Sequence, residues 1–195
     1  MSDYVQPRPD QQWPRYEVFK QDRYDRPHQA VGTVHAADPA HALLSARNVF
    51  VRRPAAVSLW VVAAGEILSR TAQELAEDPA WLTAPDDESG PAIPYFIFRK
   101  DSQRRSMTFV EHVGEIEACS AREALREAID CFADAEAWVW WVVPAGAIQR
   151  SDDEDIESWF NPAVDKTYRN QSSYGFVSAR RPSRKDNLQG DTEAN

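Results

Sequence analysis

Apolar residues recur along the chain in two series of short segments that share the same order. In each series a short apolar run predicts a strand, a polar connection follows, and a second strand comes next. A third run, rich in Trp and Val, ends each series. The predicted strands are Tyr16–Lys20, Val31–Ala36 and Ser58–Ala63 in the first series, and Tyr95–Lys100, Val110–Cys119 and Ala137–Val143 in the second.

A helix is predicted between the second and third strands of each series. Asp38 followed by Pro39 is a typical helix start, with a capping side chain before a proline at the first helical position. In the second series, Ser120 and Glu123 have the spacing of a capping box. The apolar stripes of the two helices are Ala42, Leu43, Ala46, Val49 and Phe50, and Ala124, Leu125, Ala128, Ile129 and Phe132.

The two series also match residue by residue, which indicates an internal duplication. Val31-Gly32-Thr33-Val34 aligns with Val113-Gly114-Glu115-Ile116, and Trp60-Val61-Val62 aligns with Trp141-Val142-Val143 after a one-residue slip. The aligned glycines mark a bulge or a close backbone approach within a strand. The predicted fold class is therefore α+β, with two tandem β-β-α-β units that pair as a pseudo-dimer, each unit a small antiparallel sheet with one helix on one face.

This pattern divides the chain into five parts. Residues 16–70 form the first copy and 95–177 the second, and 71–94 is predicted to be an acidic linker. Residues 1–15 and 178–195 lack apolar periodicity and are predicted to be disordered.

The third strands are apolar on both faces. In the second copy Trp138, Trp140 and Val142 alternate with Val139, Trp141 and Val143. Because one helix covers only one face of a sheet, the other apolar face needs a second layer. That layer is either the other copy or a different protein.

Composition narrows the class of protein. The 195 residues carry a net charge of −9, which argues against a nucleic acid partner because duplex binding depends on Lys and Arg. The longest apolar stretches are too short to span a membrane, and the N-terminus does not have the pattern of a signal peptide. Two cysteines are too few for a disulfide framework, so a reduced, cytoplasmic location is predicted.

Enzyme chemistry is not predicted by the residues themselves. The four histidines lack metal-ligand spacing, and no phosphate-binding glycine loop or nucleophile elbow is found. Cys119 and Cys131 have acidic neighbours, which oppose thiolate formation, so both are interpreted as small buried residues. No catalytic residue, metal or cofactor is therefore predicted.

Several segments together resemble the phenylacetate-degradation protein B family, the small B-type component of phenylacetyl-CoA epoxidase. These are Tyr16-Glu-Val-Phe19, Val31-Gly-Thr-Val-His-Ala-Ala-Asp38, Ala42-Leu43, Ala46-Arg47, Arg52-Arg53, Ser58-Leu-Trp-Val-Val62, Phe160-Asn-Pro-Ala163, Lys166 and Tyr168-Arg169. The resemblance implies a non-catalytic subunit that bridges and organises assemblies of A- and C-type subunits in a multicomponent monooxygenase, and that is itself prone to dimerise. In that family the di-iron centre lies in the A-type subunit. Family members are usually half as long, so this chain resembles a fused pair.

The leading hypothesis is therefore a bridging subunit of a phenylacetyl-CoA epoxidase-like complex in aromatic-acid catabolism, without catalytic activity of its own. Its predicted partner interface consists of exposed strand edges and of Arg47, Arg52, Arg53, Trp60, Trp138, Trp140, Trp141, Tyr168 and Arg169. The alternative is a stand-alone pseudo-dimer that binds an aromatic or CoA-thioester ligand in a cleft between the copies. Trp60, Trp138, Trp140 and Trp141 would line that cleft.

Overall fold

The computed structural model describes residues 13–51, 56–84, 90–102, 109–134 and 136–164. The strands are β1 (Arg15–Gln21), β2 (Gln29–His35), β3 (Ser58–Ala63), β4 (Leu68–Thr71), β5 (Ile93–Lys100), β6 (Glu111–Ala118), β7 (Val139–Pro144) and β8 (Gln149–Arg150). The helices are α1 (Pro39–Phe50), α2 (Ala72–Glu77), α3 (Pro79–Thr83), α4 (Ala121–Cys131) and α5 (Asn161–Val164). Short 3₁₀ turns lie at Ala64–Glu66 and Ala145–Ala147, and a π-helical turn lies at Ile156–Phe160.

All eight strands form one open antiparallel sheet in the order β4-β7-β5-β6-β2-β1-β3-β8. The predicted α+β class and the antiparallel pairing are confirmed. The strands of the two predicted copies lie in a single continuous sheet, because β2 and β6 pair at its centre.

The sheet cannot be flat. β3 and β4 stand six positions apart in the strand order, which corresponds to about 29 Å at the usual spacing of about 4.8 Å between strands. Only residues 64–67 connect them, and a fully extended chain of that length reaches about 18 Å. The same holds for β7 and β8, which residues 145–148 connect. The sheet therefore curls until its two ends approach each other.

The pairing between the halves is reciprocal. At the centre, Gln29 faces Glu111, and its Nε2 donates to the Glu111 carboxylate at 2.6 Å. The Ala30 amide donates to the Val110 carbonyl, and the His112 amide donates to the His28 carbonyl, both at 2.9 Å. In the sequence alignment of the two series, Ala30 matches His112 and His28 matches Val110. Each of these two hydrogen bonds is therefore the counterpart of the other. This is the pattern of an isologous, two-fold contact.

The outer strands show the same reciprocity. β4, which follows β3 in the chain, pairs with β7, and Leu68 lies opposite Val142. β8, which follows β7, pairs with β3, and Gln149 lies opposite Val61. Val61 and Val142 are themselves aligned in the sequence. Each half therefore adds its last strand to the sheet of the other half.

Three apolar cores result from this arrangement. The inner core lies on the concave side of the curled sheet and draws from both halves; its buried members are Phe19, Ala30, Trp60, Val62, Phe96, Phe98, Val110, Trp141, Val143 and Ile148. One outer core lies under α1 and the other lies under α4. The second apolar face of each third strand thus lies in a core to which both parts of the chain contribute.

Both predicted glycine features are confirmed. The β1–β2 register shifts beside Gly32, and the β5–β6 register shifts beside Gly114, so each marks a bulge. A Cβ at Gly32 would lie 3.0 Å from the Phe50 ring, and a Cβ at Gly114 would lie 2.5 Å from the Phe132 ring. Gly32 also has a φ of +141°, a conformation that other residues rarely adopt.

The segment predicted to be an acidic linker contains structure that the sequence analysis missed. Residues 71–94 include α2 and α3, and Leu75, Trp81 and Leu82 pack against the core under α4. Thr71 and Glu74 form a capping box at the start of α2. In the other half, Ile156, Trp159 and Phe160 pack on the core under α1. The expected disordered regions lie outside the described residues, apart from 13–15.

Candidate partner-binding surface

The predicted interface tryptophans do not lie together. Trp60 and Trp141 are buried in the inner core, and Trp140 is buried under α4 on the opposite face of the sheet. Trp138 precedes β7 and is 40% exposed. The three buried indole rings offer little area to a second protein, since neighbouring side chains already cover them.

The cleft of the alternative hypothesis is filled by aromatic rings. Phe19 and Phe98 stack across the inner core with their centroids 4.2 Å apart, and the Phe19 ring meets the Trp141 ring edge-on at 6.1 Å. Trp60 lies 5.2 Å from the Phe96 ring. The four tryptophans therefore do not line a common cleft between the halves.

A polar group penetrates the inner core on one side. His28 stacks on Trp60 with centroids 3.4 Å apart, and its Nε2 is 2.9 Å from the Ser58 hydroxyl. Arg150 lies over the rings of Trp60 and Phe96. Burial, assisted by His112 and Arg150, lowers the pKa of His28 to about 3. This histidine is therefore neutral at physiological pH and packs against Trp60.

The other histidines also serve packing. His112 contacts the rings of Trp60, Phe96 and Phe98, and burial lowers its pKa. His41 meets the Trp13 ring at 5.1 Å, and His35 Nδ1 lies 2.9 Å from the Trp13 carbonyl. Within the described ranges, no group of three or more His, Cys, Asp or Glu side chains is placed to hold a metal ion.

The interpretation of the cysteines needs correction. Cys131 is exposed at the end of α4, and Cys119 is only half-buried. Cys131 occupies an outward position of the helix where it was expected to face the core.

In the parts of the chain that the structure describes, no helix is both long and apolar enough to cross a membrane.

A shallow cavity of about 310 Å³ lies between β4 and the helices α2 and α3. Its carboxylates hold the local structure. Glu74 caps α2, Glu77 accepts from Gln73 Nε2, and Asp78 accepts from the Trp81 amide. Arg70 covers the Trp81 ring at 4.2 Å. The carboxylates that line the cavity are therefore already hydrogen-bonded to neighbouring groups of the chain.

α1 and α4 occupy matched positions but present different outer surfaces. Facing inward, Ala42, Leu43, Ala46 and Phe50 of α1 align with Ala124, Leu125, Ala128 and Phe132 of α4. Facing outward, Ala40 and Leu44 align with Arg122 and Arg126. Leu44 is 51% exposed, and Ala40 is exposed too.

The two arginines on α4 are used within the chain. Arg126 donates to the Leu82 carbonyl at 3.0 and 3.1 Å, and Arg122 donates to the Ala84 carbonyl at 3.3 Å. The Arg122 guanidinium also lies 4.8 Å from the Trp81 ring. The segment that ends with α3 thus contacts both arginines of α4, whereas Leu44 at the matched position of α1 is an exposed apolar side chain.

Of the predicted interface arginines, Arg47 lies beside Leu44 on α1. It is half-buried, and its Nη1 donates to the Asn48 side chain at 3.1 Å. Arg52, Arg53, Tyr168 and Arg169 lie outside the described residues. We define the α1 face as Trp13, Ala40, His41, Leu44 and Arg47. Of these residues, only Arg47 was predicted from the sequence. The sequence signal for Ala40 and Leu44 is that the aligned outward positions of α4 are arginines.

Comparison with known proteins shows the family of the chain. The profile of the phenylacetic acid degradation B family matches residues 12–88 and again 93–181. The chain therefore belongs to that family. It is 44% identical over 70 residues to the B-type component of the 1,2-phenylacetyl-CoA epoxidase of Escherichia coli strain K12; the match covers 35% of this chain and 74% of that protein. No solved structure matches the chain.

Proposed function

We propose that this chain is a non-catalytic bridging subunit of a phenylacetyl-CoA epoxidase-like complex in phenylacetate catabolism. The observation that carries the proposal is its match to a protein that is itself a subunit of an epoxidase, together with membership of the same family. The chemistry would take place in its partners, which we infer to be A- and C-type subunits.

We further propose that the chain is two B-type units joined in tandem. Each of the two family matches spans one half of the chain. The reciprocal registers of β2 with β6, β4 with β7 and β8 with β3 support this proposal, because a symmetric dimer would form the same pairs between two chains. Fusion would keep the pairing while letting each half acquire its own surface residues.

The distribution of apolar side chains supports a binding role. The inner faces of both halves are buried in the shared core, and α1 and α4 lie on the outer side of the sheet, each over its own core. The chain therefore has two outward surfaces on a common framework. A rigid body of this kind is suited to holding other subunits in a fixed relation.

Co-expression tests the proposal directly. The tagged chain would be produced with A- and C-type subunits from its own organism, captured by its tag and passed over a sizing column. We expect a defined complex with constant subunit ratios. A chain that elutes alone, with both other subunits folded and present, would overturn the proposal. Capture from cells that lack the tagged chain is the control for non-specific binding.

A further inference from the structure

The α1 face is distinguished by its charge as well as by its exposure. The twelve residues of α1 contain no Asp or Glu, and Arg47 is their one Lys or Arg. The chain as a whole has a net charge of −9. By contrast, α4 carries three carboxylates, Glu123, Glu127 and Asp130, beside its two arginines. Because its net charge is negative, the chain repels an acidic protein electrostatically. This repulsion is weaker at α1, because the helix carries no carboxylate side chain.

The apolar content of the α1 face adds to this difference. Leu44 and Trp13 are each more than half exposed, at 51% and 55%. The Trp13 ring rests edge-on against His41, which extends the surface beyond the helix itself. Among the described residues Arg47 forms no ion pair, and its Nη1 donates to the neutral side chain of Asn48. Exposed aromatic and aliphatic side chains beside an arginine are typical of a binding surface.

From these observations we propose that the α1 face binds an acidic partner protein whose contact surface combines apolar side chains with a carboxylate for Arg47. The inference rests on the proposed function and deepens it, since the partner would be another subunit of the complex. Apolar side chains would cover Leu44 and Trp13, and the carboxylate would pair with the guanidinium. The matched positions of α4 offer no such apolar surface, because they carry Arg122 and Arg126, which donate to the Ala84 and Leu82 carbonyls.

The test uses the full-length chain and the co-expressed A- and C-type subunits. Leu44→Glu removes an apolar contact and adds a repelling charge, and Arg47→Glu reverses the charge that would pair with the partner. Cys131→Glu adds the same charge as Leu44→Glu at an exposed position on α4 and is the matched control. Affinity is measured by titration of the purified chain into the other subunits, and the melting temperature of each isolated variant is recorded.

We expect Leu44→Glu and Arg47→Glu each to weaken binding at least tenfold and Cys131→Glu to change it less than twofold, with melting temperatures unchanged. If wild type binds and both α1 variants bind within twofold of it, this inference is wrong and the proposed function stands. If wild type does not bind, both fail. Two other results would also overturn the inference. Strong destabilisation of the isolated chain by Leu44→Glu would show that the chain itself covers the face. A wild-type dimer that Leu44→Glu dissociates would assign the face to a second copy.

Discussion

Helices α1 and α4 are alike on the side that faces the sheet and different on the side that faces away. Leu43 and Leu125 are both buried beneath their helices, whereas Leu44 is exposed and the aligned Arg126 bonds to the Leu82 carbonyl. Packing constrains the inward positions, since a change of a single methylene there alters the core. No such constraint acts on outward positions, which therefore follow what each helix contacts.

This difference separates what holds the fold from what distinguishes the halves. Features shared by the halves, such as the bulge glycines and the aromatic core, should matter equally for stability. Features that differ, such as the Arg126 bonds to the Leu82 carbonyl and the packing of His28 on Trp60, should act in one half only. Paired substitutions at aligned positions can test each of these expectations.

The largest effect is expected in the shared core. Phe19→Ala and Phe98→Ala should each lower the free energy of unfolding by about 3–5 kcal/mol, because both rings are fully buried and leave a cavity when removed. Urea unfolding followed by Trp fluorescence checks this, and both variants should keep a single transition. If one variant lost less than about 1 kcal/mol, or the halves unfolded separately, the inner core would not be shared in the way described.

Substitutions at the two bulge glycines should differ in how much stability returns when the neighbouring aromatic ring is replaced by a smaller side chain. Gly114→Ala and Gly32→Ala should each cost about 1–3 kcal/mol through overpacking or strain. Phe132→Leu should recover part of the loss in Gly114→Ala, because the clash is with that ring. Phe50→Leu should recover less in Gly32→Ala, since the φ of +141° remains unfavourable. Double-mutant cycles measure both couplings, and equal recovery in the two halves would contradict this account.

Besides His112, whose pKa burial also lowers, the pH dependence of stability should depend on His28. Its pKa is about 3 in the folded protein and about 6.5 in an unfolded chain, so the unfolded state binds the proton first. Its contribution to stability is therefore present above pH 6.5 and falls as the pH drops, by about 1 kcal/mol between pH 6.5 and 5.5. His28→Val, which copies the aligned Val110, should remove this component. Parallel stability curves for wild type and variant over that range would contradict the assignment.

The smallest effect is expected from exchanging the outward residues of the helices. Arg126→Leu should lower the free energy of unfolding by about 0.5–1 kcal/mol, because it removes exposed hydrogen bonds to the Leu82 carbonyl. Leu44→Arg should change stability by less than about 0.5 kcal/mol, as is usual at an exposed position. Thermal unfolding of both variants and of the wild type measures these two changes in stability. A larger loss for Leu44→Arg than for Arg126→Leu would reverse the comparison.

Much of the fold was accessible from the sequence because its signals are local. Short apolar runs placed six of the strands, and Ser58–Ala63 agrees with the structure at both ends. Asp38 accepts from the His41 amide at 2.8 Å, and Ser120 accepts from the Glu123 amide at 3.0 Å, as the capping patterns predicted. Gly32 and Gly114 were identified because glycine inside a strand needs a physical reason.

The missed elements depend on contacts between distant segments. β4 and β8 are too short to show a period, and they become strands by pairing with β7 and β3 in the opposite half. Residues 71–94 were predicted to be a linker because charged side chains dominate the segment. Its apolar positions Leu75, Trp81 and Leu82 lie on two short helices and pack against the core. Trp60 and Trp141 suggest an interface in the sequence, but curling of the sheet buries them together.

The central claim is that one chain supplies what two identical subunits would otherwise supply in an epoxidase-like complex. Native mass spectrometry of the complex co-expressed with A- and C-type subunits tests it most directly, because it counts the copies of each chain. We expect the complex to hold one copy of this chain where single-unit B-type subunits would occupy two positions. A complex with two copies in those positions, or a chain that stays apart from both other subunits, would contradict the claim.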